Sequence, residues 1–544
     1  MQPIGRVAEQ LGLSAEDLRP YGSDLAKVRV ASVRSRVDVG RKGKLILVTG
    51  MTPTPQGEGK TVTAIGTAMA LRLAGKRAVA CLRQPSLGPL FGVKGGATGG
   101  GKATVVPTAE INLGLTGDFD AVAAAHNLLA ALIDNHLYQG NELSIDPATI
   151  RWPRTLDVND RALRRFQLGR SNDSRQPVRE GHFAITAASE VMAILGLSKD
   201  YDDLKSRLGR IIVAFRRDGR PVRASDLNAA GAMAALLRRA LEPNLAQAAD
   251  GTPAIIHCGP FGNIAHGTCS RLAIELGLAS AEYCVVEAGF ATELGAEKFV
   301  DLVSPLCGFE VSAGILVVTI RALRHHGGAS AVERESPQPT AVEKGLENFE
   351  QHLSNLRTLG VPSVVAVNRF PSDSDGEVEL VRGLCDRRGV RFAEFHGFAE
   401  GAEGARQVAD HVVKLASSGA QARPIYGPDV TPEVAIERIV TQLYGGAGIE
   451  LSPQAKESLS VLGRMDELHG PVCVAKTAFS LSDDPTRLGR PQGFTCPIQR
   501  IERCAGAGFT IAYLGEINTM PGLPKHPRAE RIDLSAEGEP VGVE

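Results

Sequence analysis

The sequence predicts an α/β fold, in which a mostly parallel sheet is flanked by helices. Uninterrupted apolar runs recur along the chain, and each is followed by a turn containing Gly, Pro or Asp and then by a helical pattern. Runs without polar alternation are typical of strands buried on both faces, as in parallel sheets. A composition with 60 glycines and 5% aromatic residues also fits a chain with many loops. The runs lie at 44–50, 78–82, 254–259, 283–289, 314–320 and 363–368.

A glycine-rich turn follows the first of these runs and precedes a helical stretch at 60–73 and a strand at 77–82. Backbone N–H groups in such a turn surround phosphate oxygens, Lys60 adds positive charge, and the Thr61 hydroxyl is a ligand for Mg²⁺. The usual pattern G-x-x-x-x-G-K-[ST] has Thr54 in place of its first glycine. The turn therefore predicts a P-loop that binds a nucleotide phosphate. Its binding residues are Thr54, Pro55, Gly57, Glu58, Gly59, Lys60, Thr61, Val62 and Thr63.

Composition and charge argue against several classes of protein. Lys and Arg total 60 against 61 Asp and Glu, so no net field attracts nucleic acid or an anionic membrane. The chain has no run of about 18 apolar residues and no signal-peptide pattern at its start, so we expect no membrane span. The nine cysteines are scattered singly, which indicates a reducing cytoplasm and no structural zinc.

Polar residues behind the second strand carry further chemistry. Arg83 stands where ligands of open α/β sheets bind; it either holds a phosphoryl group or an acyl phosphate, or pairs with a carboxylate at the strand end. Residues 92–102 include six glycines, typical of a segment that closes over a substrate or approaches an anion; a structural linker is the alternative. Asp118 is either a Mg²⁺ ligand or the N-cap of the next helix.

Aromatic residues stand beside Gly or Pro near three predicted strand ends: Phe290, Phe370 and Phe398. Exposed aromatics in such loops stack on planar rings such as a pterin or a purine, although core packing is the alternative for each. The histidines without metal-ligand spacing are His257, His266, His325 and His326. We expect these histidines to be structural, with satisfied hydrogen bonds.

Motifs with defined spacing extend along most of the chain. They are 53–61 (PTPQGEGKT), 82–89 (LRQPSLGP), 127–136 (NLLAALIDNH), 259–267 (GPFGNIAHG), 287–290 (EAGF), 294–299 (LGAEKF), 368–371 (NRFP), 475–477 (AKT), 482–485 (SDDP) and 519–524 (TMPGLP). With these blocks the chain resembles the formate–tetrahydrofolate ligase family nearly from end to end. The resemblance implies an ATP-dependent ligase that makes formyl phosphate and transfers its formyl group to N10 of tetrahydrofolate.

The same resemblance implies an architecture and a set of ligands. It implies a P-loop nucleotide-binding α/β domain in 1–350, a smaller α/β domain on the folate side in 351–427 and a C-terminal α/β domain in 428–544. It also implies ATP, Mg²⁺, tetrahydrofolate, often a monovalent cation, and assembly as a homotetramer or homodimer. The metal ligands we predict are Thr61 and Asp118.

The family's residue roles extend to matching positions of this chain. By this resemblance Lys60, Arg83 and Gln84 are the catalytic residues, with Lys60 and Arg83 holding the phosphates and the formyl phosphate. The residues that pack against the folate ring or the nucleotide base are Phe290, Phe370, Pro371 and Phe398.

Departures from the family pattern lie near the expected acid and folate sites. Gln84 replaces a glutamate, Gly114 and Asp120 replace histidines, Phe398 replaces a tryptophan, and Ala478 replaces a glutamine. The phosphate loop, by contrast, is intact. Two alternatives follow: a paralogue with an altered folate or carboxylate substrate, or a catalytically silent ATP-binding regulatory protein.

Overall fold

The computed structural model describes residues 1–93, 95–169, 175, 177–465, 467–515 and 517–543. In chain order the strands are β1 (Leu18–Tyr21), β2 (Leu25–Val28), β3 (Lys44–Gly50), β4 (Ala78–Leu82), β5 (Gly99–Gly100), β6 (Ala103–Val106), β7 (Arg154–Leu156), β8 (Phe166–Leu168), β9 (Arg179–Gly181), β10 (Phe183–Ile185), β11 (Ile212–Phe215), β12 (Pro221–Arg223), β13 (Asn244–Ala248), β14 (Pro253–Ile256), β15 (Tyr283–Glu287), β16 (Val311–Val318), β17 (Ser363–Asn368), β18 (Arg391–Phe395), β19 (Gly448–Leu451), β20 (Val472–Ala475), β21 (Thr495–Cys504), β22 (Phe509–Leu514), β23 (Asp533–Leu534) and β24 (Pro540–Val541).

The α-helices are α1 (Ile4–Gln10), α2 (Val30–Val39), α3 (Lys60–Leu73), α4 (Leu87–Phe91), α5 (Thr108–Asn112), α6 (Asp118–Tyr138), α7 (Glu190–Leu197), α8 (Tyr201–Arg210), α9 (Ala230–Leu237), α10 (Arg271–Ser280), α11 (Ser304–Cys307), α12 (Ile320–His326), α13 (Pro339–Thr358), α14 (Asp375–Arg388), α15 (Gly397–Glu400), α16 (Arg406–Leu415), α17 (Pro432–Ile439) and α18 (Pro453–Arg464). π-Helical turns span Thr292–Ala296, Phe299–Val303 and Val440–Tyr444.

A large mixed sheet organises most of the chain. Its strand order is β1-β2-β13-β14-β4-β15-β3-β16-β17-β18, and β6 pairs with both β13 and β5. The neighbours from β14 to β18 are parallel, whereas the pairs β1–β2, β2–β13 and β13–β14 are antiparallel. The predicted α/β fold with a mostly parallel sheet is therefore confirmed, and each of the six predicted apolar runs contributes a strand to this sheet.

Strand β3 lies at the centre of the sheet and is buried on both faces. Leu45 and Leu47 pack into one hydrophobic cluster, while Ile46 and Val48 pack into a second cluster on the opposite face. Helix α3 covers the second face through alanine and leucine side chains. This double burial explains why the strand has no polar alternation in its sequence.

Residues 351–427 extend the central sheet, because β17 pairs with β16 and β18 pairs with β17. The predicted boundary at 351 falls within α13. The division of the chain into three domains remains a prediction. Residues 428–544 carry a separate four-stranded sheet of order β19-β21-β22-β20 and the β23–β24 hairpin. In the described part of the chain, none of the helices has the length and apolar character needed to cross a bilayer.

Candidate functional site

The candidate site lies along one edge of the central sheet. The loops that follow β4, β15, β3, β16, β17 and β18 leave the carboxyl ends of six neighbouring parallel strands. Ligands of open α/β sheets bind at this edge, because successive loops converge there and helix N-termini point toward it.

The phosphate loop is shaped by two glycines. Gly57 and Gly59 have φ angles of 85° and 77°, a region that favours glycine, and Gly59 is the N-cap of α3. A Cβ at Gly59 would clash with the Asn368 amide, so the second glycine is also required for packing. The Thr63 hydroxyl donates to the Gly59 carbonyl oxygen at 3.0 Å, and the Thr63 side chain is fully buried.

Glu58 holds the phosphate loop in shape. Its carboxylate accepts hydrogen bonds from the Thr54 N–H at 2.5 Å and the Thr54 hydroxyl at 2.8 Å, and also from the Thr319 hydroxyl. Asn368 donates to the Glu58 carbonyl oxygen at 3.2 Å. These contacts direct the Glu58 carboxylate inward. They also explain why Thr54 serves at the first position, since its side chain closes the loop on Glu58.

A charged centre forms where α3, β4 and β15 meet. The Thr61 hydroxyl donates to Glu287 Oε2 at 2.7 Å, and the Arg83 guanidinium donates to Glu287 Oε1 at 3.2 Å. Burial lowers the pKa of Lys60, and the carboxylates of Glu287 and Glu58 oppose that shift. Arg83 therefore pairs with a carboxylate at the strand end, as one interpretation predicted, while a quarter of its side chain stays exposed.

Glu287 is the residue that sequence reasoning missed. In the motif Glu287-Ala-Gly-Phe290 the sequence pattern points to the aromatic, but the first residue of the motif ends β15, the strand adjacent to β3. An acidic residue at the end of a buried strand next to the phosphate loop is the available signal, because P-loop enzymes hold Mg²⁺ with the loop hydroxyl and such a carboxylate.

The Thr61 hydroxyl and the Glu287 carboxylate have the hard oxygen donors that suit Mg²⁺. Within the described ranges, no group of three or more His, Cys, Asp or Glu is arranged so that it could hold a metal ion. Mg²⁺ at nucleotide sites needs only one or two protein ligands, since phosphate oxygens and waters complete its shell. The pair therefore fits a nucleotide-bound Mg²⁺.

Asp118, the other predicted metal ligand, is buried in an ion-paired network. Its carboxylate accepts from the Lys27 ammonium at 2.7 Å and from the Asn244 amide at 2.8 Å. Asp118 is the first residue of α6, whose N-cap is Gly117, so it is not the N-cap that one interpretation predicted. Both of its oxygens have protein partners, which favours a structural role.

Gln84 lies directly beside Arg83 and is buried. Its side-chain amide reaches the Gly114 carbonyl oxygen at 3.5 Å, while its backbone N–H donates to the Cys258 carbonyl oxygen at 2.7 Å. Two departures from the family pattern, Gln84 and Gly114, thus contact each other. Of the remaining departures, Asp120 is exposed on α6 and Ala478 is buried in the C-terminal part.

The histidines differ in whether their ring nitrogens have hydrogen-bond partners. His257 contacts the Ser270 hydroxyl at 2.6 Å and the Ala240 carbonyl oxygen at 2.5 Å, as expected for a structural histidine. His266 is fully buried, and neither ring nitrogen has a hydrogen-bond partner among the described residues. Burial and the nearby Arg83 charge lower its pKa to about 3, so its ring is neutral at physiological pH.

The predicted stacking residues follow strands at the same sheet edge, Phe398 in the short helix α15 and the others in loops. Phe398 is 59% exposed and follows β18, while Phe370 follows the neighbouring β17 and lies under the Arg321 guanidinium at 5.1 Å. Pro371 is exposed beside Phe370. Phe290 follows β15 with a φ of 60°, which is rare for a large side chain and typical of functional loops.

The glycine-rich segment, residues 95–101, runs from a hydrogen bond between the Gly95 N–H and the Pro89 carbonyl oxygen to contacts with Phe398. The Lys102 N–H donates to the Phe398 carbonyl oxygen at 2.8 Å, and a Cβ at Gly100 would lie 3.0 Å from the Phe398 ring. The glycines therefore allow the segment to approach the exposed aromatic. Lys94, part of the predicted segment 92–102, lies outside the described residues.

The chain matches known proteins over nearly its whole length. A family model described as Formate–tetrahydrofolate ligase matches residues 1–544. A protein named Formate–tetrahydrofolate ligase from Thermus thermophilus is 51% identical over 542 residues, covering 100% of this chain and 98% of that protein. A protein of the same name from Myxococcus xanthus is 46% identical over 541 residues, covering 99% and 98%.

Proposed function

The chain belongs to the formate–tetrahydrofolate ligase family, and we propose that its reaction takes place in the cleft between the phosphate loop, Arg83 and Phe398. The chain is an ATP-dependent ligase that activates formate as formyl phosphate and transfers the formyl group to N10 of tetrahydrofolate. The products are 10-formyltetrahydrofolate, ADP and phosphate. ATP and Mg²⁺ serve the reaction, and tetrahydrofolate is the co-substrate.

Activation is needed because formate itself does not react with an amine. Direct attack on its carboxyl carbon would have to expel oxide or hydroxide. When a formate oxygen attacks the γ-phosphorus, the bond from phosphorus to the ADP oxygen breaks and formyl phosphate forms. The N10 amine then attacks the formyl carbon, phosphate leaves, and the amine loses its proton.

In our proposal the phosphate loop and two cations bind the transferring group. Main-chain N–H groups at the start of α3 surround the nucleotide phosphates, and Lys60 balances charge on the oxygens of the γ-phosphate. Arg83 reaches the same centre from β4 and binds the acyl phosphate as it forms. The observation that carries this assignment is the common contact of Thr61 and Arg83 with Glu287.

Mg²⁺ would be held by the Thr61 hydroxyl and the Glu287 carboxylate, and it would supply positive charge against the β- and γ-phosphate oxygens. The same carboxylate orients Arg83, since its second oxygen accepts from the guanidinium. Glu287 would therefore contact both the Mg²⁺ ion of the nucleotide and Arg83, the residue that binds the acyl phosphate.

We propose that the folate ring stacks on Phe398 and contacts Phe370, Pro371 and Phe290. Stacking suits a ring that must bring a single nitrogen to the formyl carbon, because it fixes the ring's plane without consuming hydrogen-bond donors. The open face of Phe398 is the support for this placement.

The proposal also includes assembly as a homotetramer or homodimer and a location in the cytoplasm. It further includes the use of a monovalent cation in the reaction. The support for a reducing compartment is the state of the cysteines, since all nine are free thiols and eight are buried. Burial raises the pKa of most of these thiols, including Cys81 and Cys258, which keeps them protonated.

The experiment is turnover with ¹⁸O-labelled formate. The purified protein is given ATP, Mg²⁺, labelled formate and tetrahydrofolate, and the phosphate released is analysed by mass spectrometry. We expect ADP release that requires formate and tetrahydrofolate, with one ¹⁸O in each phosphate, because the attacking formate oxygen stays on phosphorus. Absence of formate-dependent ADP would contradict the proposal and favour the regulatory alternative, whereas turnover only with other carboxylates or folates would favour the altered-substrate alternative.

A further inference from the structure

The glycine-rich segment, residues 95–101, is enclosed from two sides. On one side it contacts Phe398, and Gly101 has no room for a Cβ against the Phe398 carbonyl group. On the other side it contacts Asn112 and the last part of the chain. We call residues 519–543 the C-terminal arm.

Asn112 is fully buried and bonds to both the segment and the arm. Its side-chain oxygen accepts from the Ala97 N–H at 3.1 Å. Its side-chain amide donates to the Thr98 hydroxyl at 3.2 Å and to the Val543 carbonyl oxygen at 2.9 Å. A Cβ at Gly96 would overlap the Asn112 amide, so the segment lies directly on this side chain.

Arg528 extends the contact toward the start of the segment. Its backbone N–H donates to the Gly92 carbonyl oxygen at 2.9 Å, and its guanidinium donates to the Gly542 carbonyl oxygen at 3.3 Å. A Cβ at Gly95, whose φ is 77°, would lie 3.0 Å from the guanidinium carbon. The arm therefore contacts Gly92 and Gly95 directly and is connected to Thr98 through Asn112.

The arm is attached to the rest of the protein before it reaches the segment. The Met520 carbonyl oxygen accepts from Arg164 Nε at 2.9 Å, and the Thr519 carbonyl oxygen accepts from the Ile185 N–H at 2.8 Å. Because these two bonds fix the start of the arm, the arm can hold the segment in place.

We propose that Asn112 and Arg528 are positioning residues for formyl transfer, because they hold the glycine-rich segment against Phe398. The proposal rests on the proposed function and adds to it that the segment separates formyl phosphate from water. Six glycines in residues 92–102 leave the segment with little intrinsic stiffness, so its position must come from its neighbours. Pairing with β6 holds Gly99 and Gly100, and Asn112 and Arg528 hold residues 95–98 next to the part that contacts Phe398.

A displaced segment would expose formyl phosphate to solvent. Water would then attack the formyl carbon, the bond from carbon to the phosphate oxygen would break, and formate and phosphate would be released. The net reaction is formate-dependent hydrolysis of ATP to ADP and phosphate. The ratio of ADP to 10-formyltetrahydrofolate therefore measures how well the segment excludes water from formyl phosphate. A change in folding stability alone does not alter this ratio.

The experiment compares Arg528→Ala and Asn112→Ala with matched controls in the full-length protein. Arg531→Ala removes an exposed arginine from the same arm, and Asn127→Ala removes an amide that bonds to the Thr155 backbone away from the segment. ADP and 10-formyltetrahydrofolate are measured together, with the KM values for ATP and tetrahydrofolate. Circular dichroism and thermal unfolding of each variant accompany these measurements.

We expect one ADP for each product in the unmodified protein and in both controls. For Arg528→Ala and Asn112→Ala we expect a ratio at least about threefold higher and a KM for tetrahydrofolate about tenfold higher, with the KM for ATP unchanged. Folded Arg528→Ala with the ratio and KM of Arg531→Ala would overturn the inference, even if Asn112→Ala failed to fold. If the unmodified protein gave no formate-dependent ADP, the proposed function itself would fail, which is a distinct result.

Discussion

The Thr61 hydroxyl lies 2.7 Å from one carboxylate oxygen of Glu287, whose other oxygen accepts from Arg83. Thr61 belongs to the helix after β3, and Glu287 ends the neighbouring strand β15. The two residues are 226 positions apart in the chain. One carboxylate thus connects the first turn of α3 with the arginine that follows β4.

Glu287→Gln tests this connection. The amide is a weaker ligand than a carboxylate, so we expect the Mg²⁺ concentration that gives half-maximal ADP formation to rise about 10- to 100-fold. Titration of initial rates with Mg²⁺ measures the effect. Glu282→Gln, an exposed change just before β15, is the control and should leave the titration unchanged. An unaltered Mg²⁺ requirement in Glu287→Gln would remove Glu287 from the metal site.

Asp118→Asn separates a structural carboxylate from a metal ligand. The change leaves the fully buried Lys27 ammonium without its ionic partner, and such a loss costs about 3–5 kcal/mol of unfolding free energy. We expect a lower urea midpoint but an unchanged Mg²⁺ requirement for the folded fraction. A shifted Mg²⁺ titration with normal stability would restore Asp118 as a metal ligand.

Arg83→Lys tests whether the guanidinium binds the acyl phosphate. Lysine keeps the charge but lacks the planar group that can bind Glu287 and a phosphate together. We expect kcat to fall about 100-fold or more, while the Kd for ATP changes little, because the interaction forms with the transferring group. Equilibrium ATP binding and steady-state rates distinguish the two effects. Arg77→Lys, an exposed change before β4, should alter neither quantity.

Substitutions of Phe398 test whether the folate ring stacks on its side chain. Loss of the ring in Phe398→Ala removes about 0.5–1.5 kcal/mol of stacking, which corresponds to a KM for tetrahydrofolate about 2- to 12-fold higher. Phe398→Trp should lower that KM below the value of the unmodified protein. Tyr201→Ala, which removes another exposed aromatic, is the control. Equal KM values in all three variants would place the folate elsewhere.

Asp157 gives a prediction about pH. It accepts from the Ser86 hydroxyl and the Leu87 N–H, both at 2.8 Å, and so holds the start of α4 just after Arg83. Burial raises its pKa from 3.8 to about 7. Its stabilising contribution is therefore complete below pH 3.8 and is lost as the pH rises through 7.

Urea unfolding of the unmodified protein and of Asp157→Asn between about pH 5 and pH 8 measures this contribution. We expect the stability difference to favour the unmodified protein more at the acidic end of this range than at the alkaline end. Asp146→Asn, which changes a partly exposed helix cap by the same substitution, is measured in parallel as the matched variant. A constant difference for Asp157→Asn would mean that the carboxyl does not titrate in this range.

Much of the fold and part of the candidate site were predictable because their causes are local. Apolar runs identify buried strands, and the glycines of 53–63 meet the φ requirements of the phosphate loop within a few residues. Lys60, Thr61 and Arg83 stand at strand or helix ends that the pattern itself locates. Phe398 also follows from a local pattern, an aromatic beside a glycine just after a predicted strand, and its ring is exposed at the start of α15.

Other features depend on which strands become neighbours. Glu287 meets Thr61 only because β15 inserts between β4 and β3 in the sheet, and Asp118 finds its ionic partner in Lys27, 91 residues earlier in the chain. The C-terminal arm reaches Asn112 across 431 residues. Local periodicity carries no information about such pairings, because they follow from sheet order and from the burial of charges that must find partners wherever the chain brings them together.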